Sequence, residues 1–580
     1  MSRPDPVLLE IVSAALVSVA EEMSVTVWRT SRSTTVRELL DYSTAVFDGQ
    51  GRNVAQAARM PVHLNSMELC LQHIAAHHIP LDDWRDGDVI VTNDPYCGGQ
   101  HLPDFIAFKP VFRDGERIAI TCVLIHHVDV GGGAAGGYNA QAVEVFQEGL
   151  RLPPVRIVRD GRMQEDLFAT ILQNVREPET FRGDFLSQIA ALDVGARAML
   201  RLADRYGVQA LTEIGAALLD HAEHEMRAAL RALPDGTYEA EDFVDGDGLV
   251  EGNKRIAVTL TIAGDTIALD FAGTADQARG PINATLATTT SAVYYAVIAA
   301  CGVTGTVNAG CYRPITVTAP EGSLVNAAFP APVSMRMLPG HKIATAVLRA
   351  FAQVLPERIP ASYYGTTFNH AVNIRHADGR RQVYFDSELG GWGAHPERDG
   401  PNGLAAGFHN GQNTPVEMIE ALFPMRFTRY GLVPDSGGAG RMRGGLGIVR
   451  EWEFLAESGL LNASFDAFTS LPYGLDGGAP GRGGTLSVTR DGITTPLPPR
   501  QSAMPCVPAI SCGWRPRAAA ATATLPCATA RLRPPTWLTD MSRRGFQNDP
   551  EDARDKRACH QLCGPAEARW RDTLDSPPRV

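Results

Sequence analysis

The sequence predicts an α+β fold in which mixed helices and sheets are spread over several domains. The chain has 580 residues, more than one compact domain usually contains. The spacing of its apolar residues changes along the chain between a helical period of 3.6 and a strand period of 2. Hydrophobic residues at 44% and charged residues at 20% are close to globular averages, so the composition excludes wholesale disorder.

Residues 1–160 are predicted to form an N-terminal α/β domain. Apolar residues at helical spacing near the start, including Leu8, Val12 and Leu16, predict an amphipathic helix. The apolar, β-branched runs at residues 88–92 and 118–125 predict strands, and turn or Gly-rich segments follow them. The segments that follow these strands contain the densest group of potential metal ligands in the sequence. A metal site is therefore expected in this domain.

Residues 161–235 are predicted to be a helical segment, and residues 236–500 a β-rich α+β domain. Leu192, Met199 and later residues keep a 3.6 period in the first. In the second, the period falls to 2 at residues 255–262, and a turn followed by residues 267–271 predicts a hairpin. A helix is predicted at residues 341–354, where the proline at position 356 ends it.

Charge and hydropathy exclude two classes of partner. The net charge of −12 argues against a nucleic-acid-binding surface and against a polybasic membrane anchor. Glu10, Glu21 and Glu22 interrupt what would have to be the apolar core of a secretory signal. The most continuous apolar run, residues 292–301, is shorter than the roughly 20 residues that span a bilayer. We therefore expect a cytoplasmic protein without a nucleic-acid or membrane partner.

Residues 501–580 are predicted to be an aberrant, disordered tail. From position 500 onward Lys and Arg number 13 against 8 Asp and Glu, and residues 515–533 have no hydrophobic period. Cys559, His560 and Cys563 resemble half of a metal knuckle, but no second pair completes it. If the gene is GC-rich, the codons from position 508 can be translated in a frame shifted by two bases. The peptide is then Gly-Asp-Ile-Val-Arg-Met-Glu-Thr-Ala-Gly-Gly-Gly-Gly-Tyr-Gly-Asp-Pro. We hypothesise a frameshift near codon 502, and an intact frame on resequencing would refute it.

The densest group of potential metal ligands lies between residues 93 and 133. His101 and Asp104 are three residues apart on a segment that Pro103 keeps from being an ordinary helix interior. His126 follows at the end of a predicted strand, where a rigid element would hold its side chain. Asp41 could supply another carboxylate if its segment folds nearby. Two imidazoles with carboxylates suit a divalent ion such as zinc, manganese or iron.

Spacing alone leaves other interpretations open. A His-x-x-Asp pair is also common as a hydrogen-bonded surface or capping pair. His126 and His127 point to opposite faces of a strand, so at most one of them belongs to a given site. The histidines at positions 77, 78, 221 and 224 are interpreted as solvated helix faces without a function.

Two catalytic motifs are absent from the sequence. No Gly-x-x-x-x-Gly-Lys-Ser/Thr loop occurs, so the chain lacks a P-loop for ATP. No Gly-x-Ser-x-Gly nucleophile elbow occurs either, and a covalent serine mechanism gains no support.

These segments together resemble the hydantoinase B/oxoprolinase family. The resemblance runs in family order over nearly all of residues 5–500, and it is densest at residues 93–104 and 126–133. Further matching segments are residues 5–12, 37–43, 57–67, 147–154, 279–284, 413–417 and 435–447. The family usually ends in a Gly-Gly-Gly-Gly-Tyr-Gly-Asp-Pro segment, which the shifted frame restores and the written sequence lacks.

The resemblance implies the metal-bearing subunit of an ATP-dependent amidohydrolase that opens a small cyclic amide: a hydantoin, 5-oxoproline or a lactam. A separate hydantoinase A-like subunit would bind ATP and activate the substrate, so a hetero-oligomer is expected. The missing P-loop agrees with this division. The family's ligands for a divalent metal ion carry over to Asp41, His101, Asp104 and His126.

Three further residues are candidates for the catalytic general base or for orienting a ligand. These are Asp94, His127 and Asp129, which lie close in sequence to the implied ligands. A divalent ion would lower the pKa of a water molecule that attacks the activated amide.

Two other functions stay open. Ketone carboxylases are built on related subunits, and the same ligands would serve an ATP-dependent carboxylation. The chain would otherwise be a non-catalytic scaffold subunit. The compact core of about 500 residues favours the hydrolase.

Overall fold

The structure is a computed structural model that describes residues 5–508 and 511–515. Over these residues helices alternate with four sheets, in which paired strands run antiparallel except for one parallel pair. This is the mixed α+β architecture that the sequence predicts. The described residues belong to one compact unit.

The N-terminal part is built on a seven-stranded sheet. Its elements are α1 (Pro6–Thr30), α2 (Thr34–Arg37), β1 (Tyr42–Asp48), β2 (Asn53–Gln56), α3 (Ser66–His77), β3 (Val89–Thr92), β4 (Asp104–Arg113), β5 (Glu116–His126), β6 (Val155–Arg159) and β7 (Arg162–Met163). The strand order is β2-β1-β5-β4-β3-β6-β7. Asp5 caps α1 by accepting from the backbone N–H of Val7, and a proline occupies the first helical turn.

Helices cover both faces of this sheet, which explains why β5 is apolar without alternation. Val123 and Ile125 face the core that contains α1, whereas Cys122 and Leu124 face the core under α3. A strand buried on both sides needs apolar residues at every position. The same alternation sends His126 and the residue after it to opposite faces.

The predicted helical segment contains three helices, and their apolar faces join the core beneath the first sheet. They are α4 (Glu165–Gln173), α5 (Pro178–Tyr206) and α6 (Val208–Arg231). Phe185 and Leu192 of α5 share a core with Val123 of the sheet. The predicted boundaries at positions 160 and 235 therefore separate elements that share cores.

The remaining elements form three smaller sheets with three helices. They are β8 (Gly236–Val244), β9 (Lys254–Ala263), β10 (Thr266–Asp270), α7 (Leu286–Cys301), β11 (Ile315–Thr318), α8 (Met337–Val354), β12 (Phe368–Arg375), β13 (Arg381–Glu388), α9 (Val416–Leu422), β14 (Met425–Leu432), β15 (Ile448–Phe454), β16 (Ser458–Ser464), β17 (Thr485–Arg490), β18 (Ile493–Leu497), β19 (Arg500–Cys506) and β20 (Ser511–Arg515). The sheets are ordered β11-β10-β9-β8, β13-β12-β16-β19 and β14-β15-β20-β17-β18.

Two local predictions in this part are confirmed. The hairpin is β9–β10, where Ala263 pairs with Thr266 across a two-residue turn. The helix predicted at residues 341–354 begins earlier, at Met337, and ends where predicted. The apolar run at residues 292–301 lies in α7, which packs against α8. Among the described residues no helix is both long and apolar enough to cross a bilayer.

The prediction of a disordered tail from position 501 is wrong for its first part. Strand β19 pairs with β16, and β20 is inserted between β15 and β17. The sequence did not predict these two strands, because their order comes from backbone pairing with neighbouring strands that a local sequence window does not contain. Residues 516–580, including the half-knuckle at positions 559–563, lie outside the described residues.

Candidate metal centre

Register in the first sheet brings two of the predicted ligands together. Asp104 opens β4 and His126 closes β5, and the two residues are direct partners across the ladder. Directly opposed residues present their side chains on the same face. His101 joins them through a tight turn, in which the backbone N–H of Asp104 donates to the carbonyl of His101 at 3.1 Å.

The three side chains converge in the interior of the protein. One ligand atom from each of His101, Asp104 and His126 lies within 4.8 Å of the other two. The two imidazole rings are 4.9 Å apart between centroids, and all three residues are at most 1% exposed. Such burial of an acid and two imidazoles is unfavourable unless their polar atoms have partners.

The polar atoms of this cluster have the pattern that a bound cation would complete. Nδ1 of His101 donates to the carbonyl of Ser334 at 3.3 Å, since a carbonyl only accepts. Burial, together with Arg336, lowers the pKa of His101, so the ring is neutral and Nε2 carries a lone pair. That Nε2 lies 3.2 Å from Oδ1 of Asp104, so two hydrogen-bond acceptors face each other without a proton between them. Neither ring nitrogen of His126 has a hydrogen-bond partner among the described residues. These residues fit a divalent metal ion.

Asp41 lies beside this cluster. Its backbone carbonyl accepts from the N–H of His126 at 3.1 Å, and its Oδ1 is 3.8 Å from Nε2 of His63. Burial, with the charge of Asp104 added, raises the pKa of Asp41 to about 7. A cation at the cluster would favour the ionised carboxylate of Asp41. The fourth predicted ligand is therefore close by, with its side chain turned toward His63.

Arg336 is a site residue that no sequence signal marked. It is 2% exposed, and its Nη2 donates to Oδ2 of Asp104 at 2.9 Å. The two residues are 232 positions apart in the sequence. Its Nε donates to Oε1 of Gln100 at 3.3 Å. Burial alone would raise the pKa of Asp104, but the surrounding positive charge, of which the guanidinium of Arg336 is the permanent source, outweighs it and holds this pKa well below its usual range. Arg336 thus keeps Asp104 ionised and fixes its orientation.

The structure does not bring the three predicted catalytic residues to the cluster. His127 lies on the opposite face of β5, with its ring stacked on Phe181 at 4.0 Å between centroids. Asp129 accepts from the backbone N–H groups of Gly131 and Gly136 and from Arg176.

Asp94 is likewise engaged in its own loop. Its Oδ1 accepts from the N–H of Tyr96 at 3.0 Å, and its Oδ2 pairs with Arg151 at 2.8 Å. The contacts of Asp94, His127 and Asp129 are structural, and they give no support to a general-base role.

A cavity of about 870 Å³ lies near this centre between α1, α6, α7 and the segment after β2. Its polar lining residues are Glu10, Ser13, Ser43, Thr44, Gln56, Arg59, His63, His221, Glu225, Thr304, Thr306, Asn308 and Asn410. His101, Asp104 and His126 are not among the lining residues.

His63 lies between the cavity and the buried cluster, because it lines the cavity and also faces Asp41. Its Nδ1 is 2.9 Å from Oγ of Ser43, another lining residue. Burial lowers the pKa of His63 to about 3, so its ring is neutral.

Glu148 supports the loop that orients His101, and it predicts a pH dependence of stability. It is buried and accepts from the N–H groups of Val333 and Ser334 at 3.1 and 2.8 Å. Burial raises its pKa to about 8. Because this pKa exceeds that of an unfolded glutamate, the stability that Glu148 contributes is complete at low pH and is lost as the pH rises from about 4.5 to about 8.

We therefore expect the Glu148→Gln protein to gain stability relative to the wild type as the pH rises. The free energy of unfolding of both proteins, measured by urea denaturation at about pH 5 and about pH 8.5, checks this. A difference between the two proteins that does not change with pH would contradict the assignment.

The chain is similar in sequence and in fold to proteins of known type. The family model for hydantoinase B/oxoprolinase matches residues 5–509. The caprolactamase subunit beta of Pseudomonas jessenii is 35% identical over 465 residues, which cover 78% of this chain and 79% of that protein. The crystal structure of the ATP-dependent caprolactamase from Pseudomonas jessenii has a TM-score of 0.83 at 30% identity, over 90% of this chain and 91% of that one.

A second solved structure shares the fold alone. The nucleotide-free structure of acetone carboxylase has a TM-score of 0.82 at 18% identity, over 90% of this chain and 76% of that chain. The family match covers both strands that carry the converging ligands and almost all the described residues. This chain therefore belongs to the hydantoinase B/oxoprolinase family.

Proposed function

We propose that this chain is the metal-bearing subunit of an ATP-dependent amidohydrolase that opens a small cyclic amide such as a hydantoin, 5-oxoproline or a lactam. The observation that carries the proposal is the buried convergence of His101, Asp104 and His126, in which a neutral imidazole nitrogen faces a carboxylate oxygen. Family membership and the similarity to a caprolactamase subunit support the substrate class.

His101, Asp104 and His126 would hold the ion, and Asp41 is placed to join them. A divalent ion of the zinc, manganese or iron type supplies Lewis acidity and lowers the pKa of bound water toward neutrality. Arg336 keeps Asp104 ionised, and Ser334 fixes the tautomer of His101. Burial excludes bulk water from these groups, which strengthens every charge interaction among them.

The cavity beside the centre would hold the substrate. Its volume lies within the range of small-molecule sites, and its wall mixes apolar residues with a few polar groups. His63, whose ring faces Asp41, belongs to that wall together with its partner Ser43. A neutral His63 ring can accept a hydrogen bond there, so we assign it the task of orienting the reacting groups.

Activation by ATP would take place on a separate hydantoinase A-like subunit. An unstrained cyclic amide is a poor electrophile, and transfer of a phosphoryl group to its carbonyl oxygen makes that oxygen a leaving group. The chain has no P-loop. The related caprolactamase chain is itself named a subunit. A hetero-oligomer in the cytoplasm is therefore the assembly that we propose.

Reconstitution with the partner subunit tests this function. We expect hydantoin, 5-oxoproline or caprolactam to be opened with one ADP formed per ring, without bicarbonate, and only when both subunits and a divalent ion are present. Ring opening is followed by chromatography and ADP by a coupled assay. The His63→Ala subunit should assemble normally and turn over more slowly.

Two other outcomes would each replace the proposal. ATP turnover that requires bicarbonate and a ketone would identify a carboxylase, for which the fold of acetone carboxylase is the supporting observation. Normal assembly with the partner and no turnover of either substrate class, with metal bound, would identify a scaffold subunit.

A further inference from the structure

A second group of metal-ligand side chains lies at the end of α3. His73 and His78 converge with Cys97, which belongs to the short 3-10 turn Pro95–Cys97. Sγ of Cys97 is 3.7 Å from Nε2 of His78, and one ligand atom of each residue lies within 4.8 Å of the other two. Cys97 is buried, His73 is half-buried and His78 is exposed. This group therefore has access to solvent, unlike the buried centre on the sheet.

The backbone holds Cys97 against the helix. The turn is closed by a bond from the N–H of Cys97 to the carbonyl of Asp94 at 3.1 Å. Gly98 follows with a φ of +83°, and a Cβ there would lie 2.5 Å from the backbone nitrogen of Cys70 in α3. Only glycine permits such close packing of the loop on the helix. The position of the thiol over the last turn of α3 is thus fixed by the fold.

The donor atoms and their spacing suit a borderline transition metal. A tetrahedral zinc site has Zn–S and Zn–N bonds near 2.3 and 2.0 Å, so sulfur and nitrogen ligands are about 3.5 Å apart. The separation of Sγ and Nε2 here, 3.7 Å, is close to that value. Two imidazoles and a thiolate select zinc, cobalt or copper over magnesium and calcium.

We propose that His73, His78 and Cys97 form a second metal site, for an ion of the zinc type, which differs from the centre at His101, Asp104 and His126 by its sulfur ligand. When the ion binds, the Cys97 thiol loses its proton to solvent and the thiolate forms the bond to the metal. Three protein ligands leave one coordination position for water. The proposal goes beyond the proposed function and does not depend on it.

The location gives this site a structural task. The loop that begins at Asp94 continues through Gly98 to His101, so an ion bound by Cys97 would tie that loop to α3. A second ion would thereby restrict the segment that carries His101. Removal of the site should loosen the loop without removing any ligand of the buried centre.

Cobalt substitution of the full-length protein distinguishes the two sites. A thiolate bound to Co²⁺ gives a charge-transfer band in the near ultraviolet, and the buried centre has no sulfur ligand to give one. We expect two equivalents of Co²⁺ and this band in the wild type. Cys97→Ser and His78→Gln should each lose the band and one equivalent, with at least a tenfold weaker affinity for that equivalent.

Matched variants exclude other sources of the band. His224→Gln removes another exposed histidine, and Cys559→Ser/Cys563→Ser removes the thiols of the half-knuckle; both proteins should keep the band. His126→Phe should keep it while losing the other equivalent. His78 is exposed, so His78→Gln tests the ligand without risk to the fold. A band that persists in Cys97→Ser, or a wild type that binds cobalt without any band, would overturn the proposal.

Discussion

Replacing His126 with phenylalanine is expected to remove the metal ion from the buried centre, whereas the same change at His127 should leave it bound. Both residues are buried, and they are neighbours on one strand end. The ring nitrogens of both residues are without a hydrogen-bond partner among the described residues, but only His126 meets a second imidazole and a carboxylate, those of His101 and Asp104. His127 packs against Phe105, Phe181 and Phe185 on the opposite face.

The expected loss of affinity is at least about 10²-fold, because even residues that only orient a metal ligand contribute 10- to 100-fold. Metal content by plasma mass spectrometry and chelator competition measures it. A phenylalanine ring fills the space of either imidazole, so both variants should fold, and thermal melts establish that they do. The buried centre is refuted as a metal site if His126→Phe binds this equivalent of metal as tightly as His127→Phe.

The largest effect on stability is expected at Arg450. Its side chain is fully buried, and its Nη1 donates to Oδ2 of Asp386 at 3.0 Å and to Oε1 of Glu388 at 2.6 Å. Its guanidinium also lies over the ring of Tyr430, 4.9 Å from the centroid. Removing one member of a buried ionic group leaves the others charged without compensation, which costs about 3–5 kcal/mol. We expect Arg450→Met to lower the free energy of unfolding by that amount.

Arg426→Met is the matched control on the neighbouring strand. Arg426 pairs with Glu453 and its side chain is 63% exposed. An exposed pair contributes only about 0–1 kcal/mol, because solvent screens the charges. Urea denaturation of both variants compares the two losses directly. Equal losses of about 1 kcal/mol or less in the two proteins would show that the three buried groups do not act as a charged network.

Local sequence patterns were sufficient to predict those elements whose conformation depends mainly on their own residues. The β9–β10 hairpin and the end of α8 follow from a period and from turn or proline signals within a short window. The tail prediction failed for β19 and β20, since their order depends on strands that lie far away in the chain. The same limit applies to Arg336, which reaches Asp104 from 232 positions away.

The strand period separated His126 from His127 without choosing between them, and the family resemblance assigned the ligand role to His126. The strand period of 2 required that the two rings face opposite sides. Which side holds the site depends on the register of β4 with β5, because that register sets Asp104 opposite His126. On the other face, His127 packs against the phenylalanines of α5.

The sequence by itself determined the type of fold, the family resemblance and the residue types that converge in the buried centre. Each of these depends on the kind and order of residues along the chain. The tertiary structure alone decided that Arg336 and His63 join the site, that Asp94 and Asp129 hold loops, and that Cys97 lies over His73 and His78. The physical reason is that these contacts join separate segments, whose approach is fixed by strand register and helix packing, and neither is encoded in a local period.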